Sequence, residues 1–490
     1  MESIEKKIDF NEKQIQDIFG HEAAENENSE RLRQYYFKSS VFDQVDTDLS
    51  LRVLVGHKGI GKSALFQVAM AEQRDKGELT VLIKPDDIVS LGVDTSDFLR
   101  TIREWKIGLT AIITREVLCK LGIDGSGILD KAKGYSGRII DFLQDTFLDI
   151  PGVNFSPTKK KLIDGFLEKN TIYVYIDDLD RGWQGRAEDN TRISALLNAI
   201  RDISTENRGI FFRIALRSDV YFLVRTSDES TDKIEGSVIW HSWNNHEIFV
   251  LLIKRIESFF GRSIDEKKLL DTPPRELAKY LNLIMEPRFI GRGHWRDAPM
   301  YRVLMSLIRR RPRDLVKLCT LAARKAHERR GELITTKDLE ASFEDYSQGR
   351  LQDTINEFRS ELPSIERLLM GMKPSKKERT AKQGYAYSGD ALIKKIKTIQ
   401  EQGDFRFFDR GVAETKELAA FMYKINFLTA RKEKPTEIIR KYFEENRYLN
   451  NRFVDFGFEW EVHPAYRWAL QPDDIEDVFA SLKLSSDTEG

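Results

Sequence analysis

The stretch LRVLVGHKGIGKSALFQVAMAEQ (residues 51–73) constrains this chain more than any other. Residues 51–55 read as a short buried strand, and Ala64, Leu65, Val68 and Ala69 recur at helical spacing. Between them, Gly56-x-x-x-x-Gly61-Lys62-Ser63 joins strand to helix. The glycines let backbone N–H groups turn inward at a helix N-terminus, where the helix dipole favours an anion. Gly56, His57, Lys58, Gly59, Ile60, Gly61, Lys62, Ser63 and Ala64 are therefore read as a nucleotide-binding phosphate loop. Lys62 is expected to reach the β- and γ-phosphates, and the Ser63 hydroxyl to bind Mg²⁺. A bland glycine turn is the competing reading, but this pattern rarely falls between a strand and a helix by chance.

A second stretch supplies the negative charge that a metal would balance. TIYVYIDDLDRGW (171–183) runs an apolar strand straight into Asp177, Asp178 and Asp180. Asp177 is expected to hold Mg²⁺ through its water shell, and Asp178 to orient or deprotonate an attacking water. A solvated turn after a strand is the alternative, and the paired acids count against it. Asp180 and Arg181 leave two readings open: a local ion pair shaping the loop, or Arg181 acting across a subunit boundary.

More strands follow in the order a parallel sheet needs. ELTVLIKP (78–85), GIFFRIALRSD (209–219) and GSVIWHSW (236–243) alternate with helical stretches such as TRISALLNAIRDI (191–203). That alternation predicts an α/β fold with crossover helices. Arg217, Ser218 and Asp219 close the fourth strand. They are read either as sensors of the γ-phosphate or its water, or as a helix start capped by Ser218 or Asp219; both can hold together. Residues 97–168 read as a helical insertion.

Bulk properties exclude several classes. A chain of 490 residues predicts two to four domains. With 78 basic and 79 acidic residues the net charge is −1, which excludes a globally basic nucleic-acid binder and leaves local patches open. The longest apolar run, IFVLLI (248–253), is far short of the roughly 20 residues that span a bilayer. The charged, amphipathic N-terminus has no signal-peptide core. Cys119 and Cys319 stand alone, with neither a disulfide framework nor metal-ligand spacing. A cytoplasmic protein without membrane partners is expected. TTKDLE (335–340) lacks the spacing of an Asn-Lys-x-Asp guanine signature, so ATP with Mg²⁺ is the expected cofactor pair.

The expected domains are an N-terminal helical segment (1–45), the ATPase core (46–260), a helical lid (261–350) and a C-terminal domain (351–490). The last opens with LQDTINEFRSELPSIERLL and pairs a helical stretch (415–432) with strand-like RFVDFGFEWEVH (452–463), suggesting a winged-helix-like fold. Between Lys373 and Lys397, eight Lys/Arg face only Glu378 and Asp390. Lys373, Lys376, Lys377, Arg379 and Lys382, interleaved with Tyr385 and Tyr387, are candidate nucleic-acid contacts; a solvated, mobile basic loop is the plainer reading. His463 reads as a packed loop histidine rather than a catalyst. Arg309, Arg310 and Arg311 could supply a finger in trans, although a triple arginine more often forms a solvated face.

YIDDLDR, ALRSDV and RRRPRDLVKLC together resemble the KAP group within the STAND branch of AAA+-like P-loop ATPases. FGHEAAENE (19–27), LRQYYFKSSVFDQV (32–45) and FEWEVHPAYRWAL (458–470) are similar to a soluble bacterial branch of that group, without the transmembrane insertions of its other members. The resemblance implies a lid arginine at Arg313 that reports the γ-phosphate, because a guanidinium grips phosphate bidentately. A helix start with Pro312 in its first turn and Arg313 solvated is the alternative. The resemblance further implies an ATP-controlled switch that forms a homo-oligomer and controls a separate effector protein, with relatives common in bacterial antiviral-defence loci. A nucleic-acid-dependent ATPase, loading or remodelling DNA or RNA, is the second hypothesis. A nucleotide-binding scaffold with negligible turnover is the third, and paired Asp177 and Asp178 argue against it.

Overall fold

IYVYI (172–176) is buried along its whole length, so both faces of that strand must be covered. In the computed structural model it forms β3 of a five-stranded parallel sheet. The structure describes residues 7–22, 26–121, 139–148, 157–183, 185–227, 229–263, 265–380, 384–408, 411–434, 437–445, 458–472 and 475–485. The chain divides into two compact units, Lys38–His241 and the pair Met1–Phe37 with Ser242–Gly490.

The first unit holds β1 (Leu51–Val55), β2 (Leu79–Ile83), β3 (Ile172–Ile176), β4 (Ile210–Leu216) and β5 (Val238–Trp240). Their spatial order is β2-β3-β4-β1-β5. After β1 the chain skips two positions to lay down β2, and β3 and β4 later fill the gap. A crevice therefore opens at the carboxyl ends of β1 and β3, on either side of β4, where ligands of open α/β sheets bind. Register places Val55 beside Leu216 and Ile176 beside Ile214, so the three loops that follow leave from one edge. At the opposite end, buried Arg213 of β4 donates to the carbonyls of Val45, Thr47 and Leu49, pinning the chain as it enters β1.

The helices of the 97–168 stretch pack on this core. In the helix Phe98–Leu121, Thr101, Trp105, Leu109, Ile113 and Val117 recur every four residues and are buried. Trp105, Leu109 and Val117 join β2 and β3 in one apolar cluster, with Ile139, Leu143 and Phe166 from the two helices that follow. Each such side chain contributes about 1.5–3 kcal/mol by leaving water. The stretch covers a sheet face, which is why it is helical and long. Residues 122–138 and 149–156 lie outside the described residues.

The second unit is mainly helical. Asn245–Phe259 packs on Glu12–Phe19, Ser29–Tyr35 and Pro274–Leu281, while Pro312–Glu328 packs along Thr336–Phe358. A small ribbon pairs β6 (Arg288–Ile290) with β7 (Arg296–Pro299). The helix Thr336–Phe358 begins at a capping box of Thr335 and Asp338 and runs unbroken through 350, where a domain boundary was expected. Its buried positions continue across that point as Tyr346, Arg350, Leu351 and Ile355. Two of the three N-terminal helices belong to this unit, and Ser40–Val45 belongs to the sheet unit.

Beyond that helix come Ile365–Met370, β8 (Ala386–Tyr387), Gly389–Gln400, Thr415–Lys424 and the hairpin β9 (Leu428–Glu433) and β10 (Ile438–Lys441). This helix–strand–helix–helix–hairpin order is winged-helix-like. β11 (Glu459–Val462) lies between β9 and β8 in an antiparallel sheet ordered β10-β9-β11-β8. Residues 452–457 of the strand-like stretch lie outside the described residues. Among the described residues, no helix is long and apolar enough to cross a membrane.

Candidate nucleotide-binding site

The phosphate loop is built by backbone geometry before any side chain acts. Gly59 has φ +80° and Gly61, at the start of the helix Lys62–Asp75, has φ +102°. Side chains rarely tolerate that left-handed conformation, whereas glycine adopts it freely. A Cβ on Gly56 would stand 3.1 Å from both the His241 carbonyl oxygen and Ile60 Cγ2. Gly56, His57 and Ile60 are buried, Lys58 is exposed, and the face from Gly61 to Ala64 is partly open. Lys62 Nζ folds back and donates to the carbonyls of Gly56 (2.8 Å) and His57 (3.2 Å).

The acids meet this loop as their residue types require. Ser63, in the first turn after β1, faces the Asp177 carboxyl at the end of β3 and favours its charged form. Burial pushes the Asp177 carboxyl above its ordinary pKa, and Ser63, the Asp178 N–H and the Lys62 charge only partly oppose it. A hydroxyl and a poorly solvated carboxylate side by side are hard oxygen ligands of the kind Mg²⁺ takes, so the donor set fits that ion. Asp178 is exposed, with φ +60°; its N–H donates to Asp177 Oδ1 (2.9 Å) and its carbonyl accepts from the Arg181 N–H (2.8 Å). The turn therefore holds Asp177 inward and Asp178 in solvent.

Asp180 and Arg181 do not form the local pair that their adjacency suggests. Asp180 Oδ2 accepts from Arg217 Nη1 at 3.3 Å, whereas Arg181 faces Asp86 at 3.9 Å. Arg217 also forks onto Asp219, with Nε to Oδ1 at 3.0 Å and Nη2 to Oδ2 at 2.6 Å. Ser218 and Asp219 are the first two residues of the helix Ser218–Ser227, and Arg217, not either of them, precedes it. Neither side chain caps that helix in the expected way: Asp219 is spent on Arg217, and Ser218 Oγ lies 3.2 Å from His57 Nδ1. His241, which follows β5, has Nε2 3.9 Å from where a Cβ on Gly61 would stand. Burial, and then the Lys62 charge, lower its pKa to about 3, so its imidazole is neutral at physiological pH. The sequence reading missed the His57–Ser218 contact and His241; the one available signal was a histidine inside the glycine loop.

The remaining candidates lie in the other unit. Arg313 is the second residue of the helix Pro312–Glu328 and donates from Nε to the Glu22 carbonyl (3.2 Å), beside the Lys317–Glu22 pair. The three arginines before it are neither a solvated face nor a free finger. All are buried: Arg309 forks onto Asp314 (2.7 and 2.8 Å) and donates to Thr354 and Tyr466, Arg310 pairs with Glu445, and Arg311 lies 3.5 Å from Glu357. Arg350 joins them through Asp314 at 2.8 Å.

The basic segment is also more structured than a mobile loop. Tyr385 and Tyr387 are buried, with hydroxyls donating to the carbonyls of Arg467 and Met372, so neither ring offers a face to a base. Lys395 pairs with Glu378 (2.8 Å), and Arg379 lies 3.4 Å from Asp477. Lys376 and Lys377 are exposed, Lys373 is partly buried, and Lys382 lies outside the described residues. His463 is packed as expected: Nδ1 accepts from the Ala465 N–H and Nε2 lies 3.0 Å from the Tyr442 hydroxyl.

Comparison with known proteins adds three kinds of likeness. Residues 274–355 match a family described as the FunZ-associated C-terminal helical domain. The chain is 22% identical, over 513 residues, to the transposon gamma-delta 80.3 kDa protein of Escherichia coli (strain K12), covering 94% of this chain and 69% of that one. Among solved structures, a Walker-type ATPase of Pyrococcus abyssi is 11% identical with a TM-score of 0.42, covering 89% of this chain and 95% of its own. The ORC2 protein of Aeropyrum pernix, in ADPNP and ADP complexes, is 12% identical with a TM-score of 0.41, covering 87% and 86%.

Proposed function

We propose that this chain binds ATP with Mg²⁺ and hydrolyses it, using the turnover as a switch. The observation that carries the reading is the placement of Ser63 against the Asp177 carboxyl at the mouth of the glycine loop, with Lys62 beside it. Lys62 would exchange the carbonyls of Gly56 and His57 for β- and γ-phosphate oxygens, and the loop N–H groups would take the rest of the phosphate charge. Ser63 and, through water, Asp177 would hold Mg²⁺, which when bound neutralises charge that builds on the phosphates. Asp178, exposed one residue further on, would orient a water or accept its proton. Arg217, Ser218 and Asp219 close the crevice from β4 and would sense the γ-phosphate there; Arg313 is the corresponding candidate on the helical unit.

Oligomerisation, a separate effector and a role in defence are carried by the resemblance. The E. coli relative's name, which ties that protein to a transposon, is compatible with a mobile-element setting. The nucleic-acid-dependent reading draws support from the winged-helix-like order and from exposed Lys376 and Lys377. It loses the aromatic half of its case with Tyr385 and Tyr387 buried. One experiment separates the two: steady-state ATP hydrolysis with and without Mg²⁺, alone and with single- or double-stranded DNA or RNA, and with Lys62→Ala as the blank. Magnesium-dependent turnover unchanged by nucleic acid is the expected result. Strong stimulation would replace the switch by the remodeller, and wild-type turnover no higher than the blank would refute the ATPase.

A further inference from the structure

β4 lies between β1 and β3, and the tripeptide that ends it reaches both ways. Arg217 bonds Asp180 in the loop after β3, and Ser218 touches His57 in the loop after β1. Asp219 clamps Arg217 with both oxygens, so these contacts form one chain: His57, Ser218, Arg217 with Asp219, Asp180. His57, Arg217, Ser218 and Asp219 are all buried, and buried polar contacts of this kind hold one geometry because the alternative is an unpaired group. His57 precedes the lysine by five positions and lends its own carbonyl to Lys62. Any shift of the loop as Lys62 turns to phosphate is therefore felt at Ser218.

We propose that His57 is a positioning residue: through Ser218 it couples the phosphate loop to the Arg217–Asp180 contact, setting the strand-end groups for hydrolysis rather than for nucleotide affinity. The proposal rests on the ATPase reading above. His57 touches no reacting atom in it. Its Nδ1 is the atom that acts, and asparagine places a polar atom at nearly the same distance from the backbone, whereas phenylalanine keeps only the ring.

The test measures kcat, KM and the affinity for a fluorescent ATP analogue in the full-length protein. The variants are His57→Phe, His57→Asn, Ser218→Ala, Ser218→Thr and the His57→Phe/Ser218→Ala double. His57→Phe and Ser218→Ala should each lower kcat about tenfold or more while KM and affinity stay within about threefold, since small misplacements near a reacting centre cost rate before binding. Asparagine at 57 and threonine at 218 should each restore most of kcat. The double should be no slower than the worse single, as expected of two groups that act through one contact. Losses that multiply, failure of both rescues, or equal falls in kcat and affinity would overturn the proposal. If His57→Phe does not fold, His57→Leu, which fills the site without a ring nitrogen, takes its place in the same comparison with His57→Asn and in the double variant. Wild-type turnover at the level of Lys62→Ala would instead refute the underlying ATPase and, with it, this coupling.

Discussion

Asp177→Asn is expected to stabilise the ligand-free protein and to erase its response to magnesium. The substitution keeps size and hydrogen-bonding capacity toward Ser63 and removes only the charge. Burial raises the Asp177 pKa in the fold, so the unfolded chain carries that charge more readily than the native one. Above the folded pKa the ionised carboxylate therefore weighs against the fold, and below the unfolded value the penalty is absent. Relieving strain of this sort at a functional site commonly gives about 0.5–2 kcal/mol. For a unit the size of Lys38–His241, each kcal/mol moves Tm by about 2–4 °C. Ligand works the other way: at a hundredfold excess over Kd, wild type should gain about 2.7 kcal/mol, or roughly 5–10 °C. Thermal scans at neutral pH, with and without ATP and with Mg²⁺ or EDTA, read both effects. The variant should melt higher than wild type when empty, and its shift with ATP should be the same in Mg²⁺ as in EDTA. An empty variant less stable by more than about 1 kcal/mol, or one that keeps the magnesium-dependent shift, would refute the assignment of Asp177 as the metal's carboxylate.

Two further outcomes rest on the contacts of individual side chains. Lys62→Ala should abolish nucleotide binding, whereas Asp178→Asn should retain it and lose about 10²–10⁴ in turnover; equal binding loss in a nucleotide titration would deny that division of labour. Asp314→Asn should destabilise the unit of Met1–Phe37 and Ser242–Gly490 by about 3–5 kcal/mol in urea unfolding, because it leaves the buried Arg309 guanidinium without a carboxylate and Arg350 with Asp353 alone. Burial alone would raise the Asp314 pKa, but Arg309 and then Arg350 and Arg311 hold it well below the usual carboxylate range. Its stabilising contribution is therefore complete above the unfolded value of about 3.9 and disappears only as pH falls through the folded one. A mutant that loses stability only at acid pH would contradict this.

The sheet and its loop were legible because their signals are local. The glycine spacing, Lys62, Ser63 and the acids after β3 each sit within a few residues of the strand that places them, and strand pattern carries the rest. What the sequence concealed depends on distant partners. Arg309, Arg310 and Arg311 look like a solvated face until Asp314, Glu357, Thr354, Glu445 and Tyr466 close around them, the last 157 positions from Arg309. Tyr385 and Tyr387 sit among lysines in sequence yet are buried in space, with Arg467 over the Tyr385 ring and Tyr387 opposite Trp460 of β11. For residues 97–168, helical periodicity declares an apolar stripe but not the surface it covers. The position of Arg217-Ser218-Asp219 at the end of β4 was legible from strand pattern, whereas the directions in which the three side chains point were not.

The unbroken helix Thr336–Phe358 bears on how such proteins can be shortened or recombined. The family match ends at 355, three residues before that helix does, which invites treating 274–355 as a transferable module. Its interior says otherwise. Arg309 draws one of its partners, Tyr466, from far beyond the match, and a fragment cut near 350 would also lose Thr354. A protein that borrowed the matched segment alone would inherit a dry guanidinium with part of its hydrogen bonding gone, and a helix short of its last three residues. The segment can be recognised on its own, but it can be inherited only together with the C-terminal residues that close over its arginines.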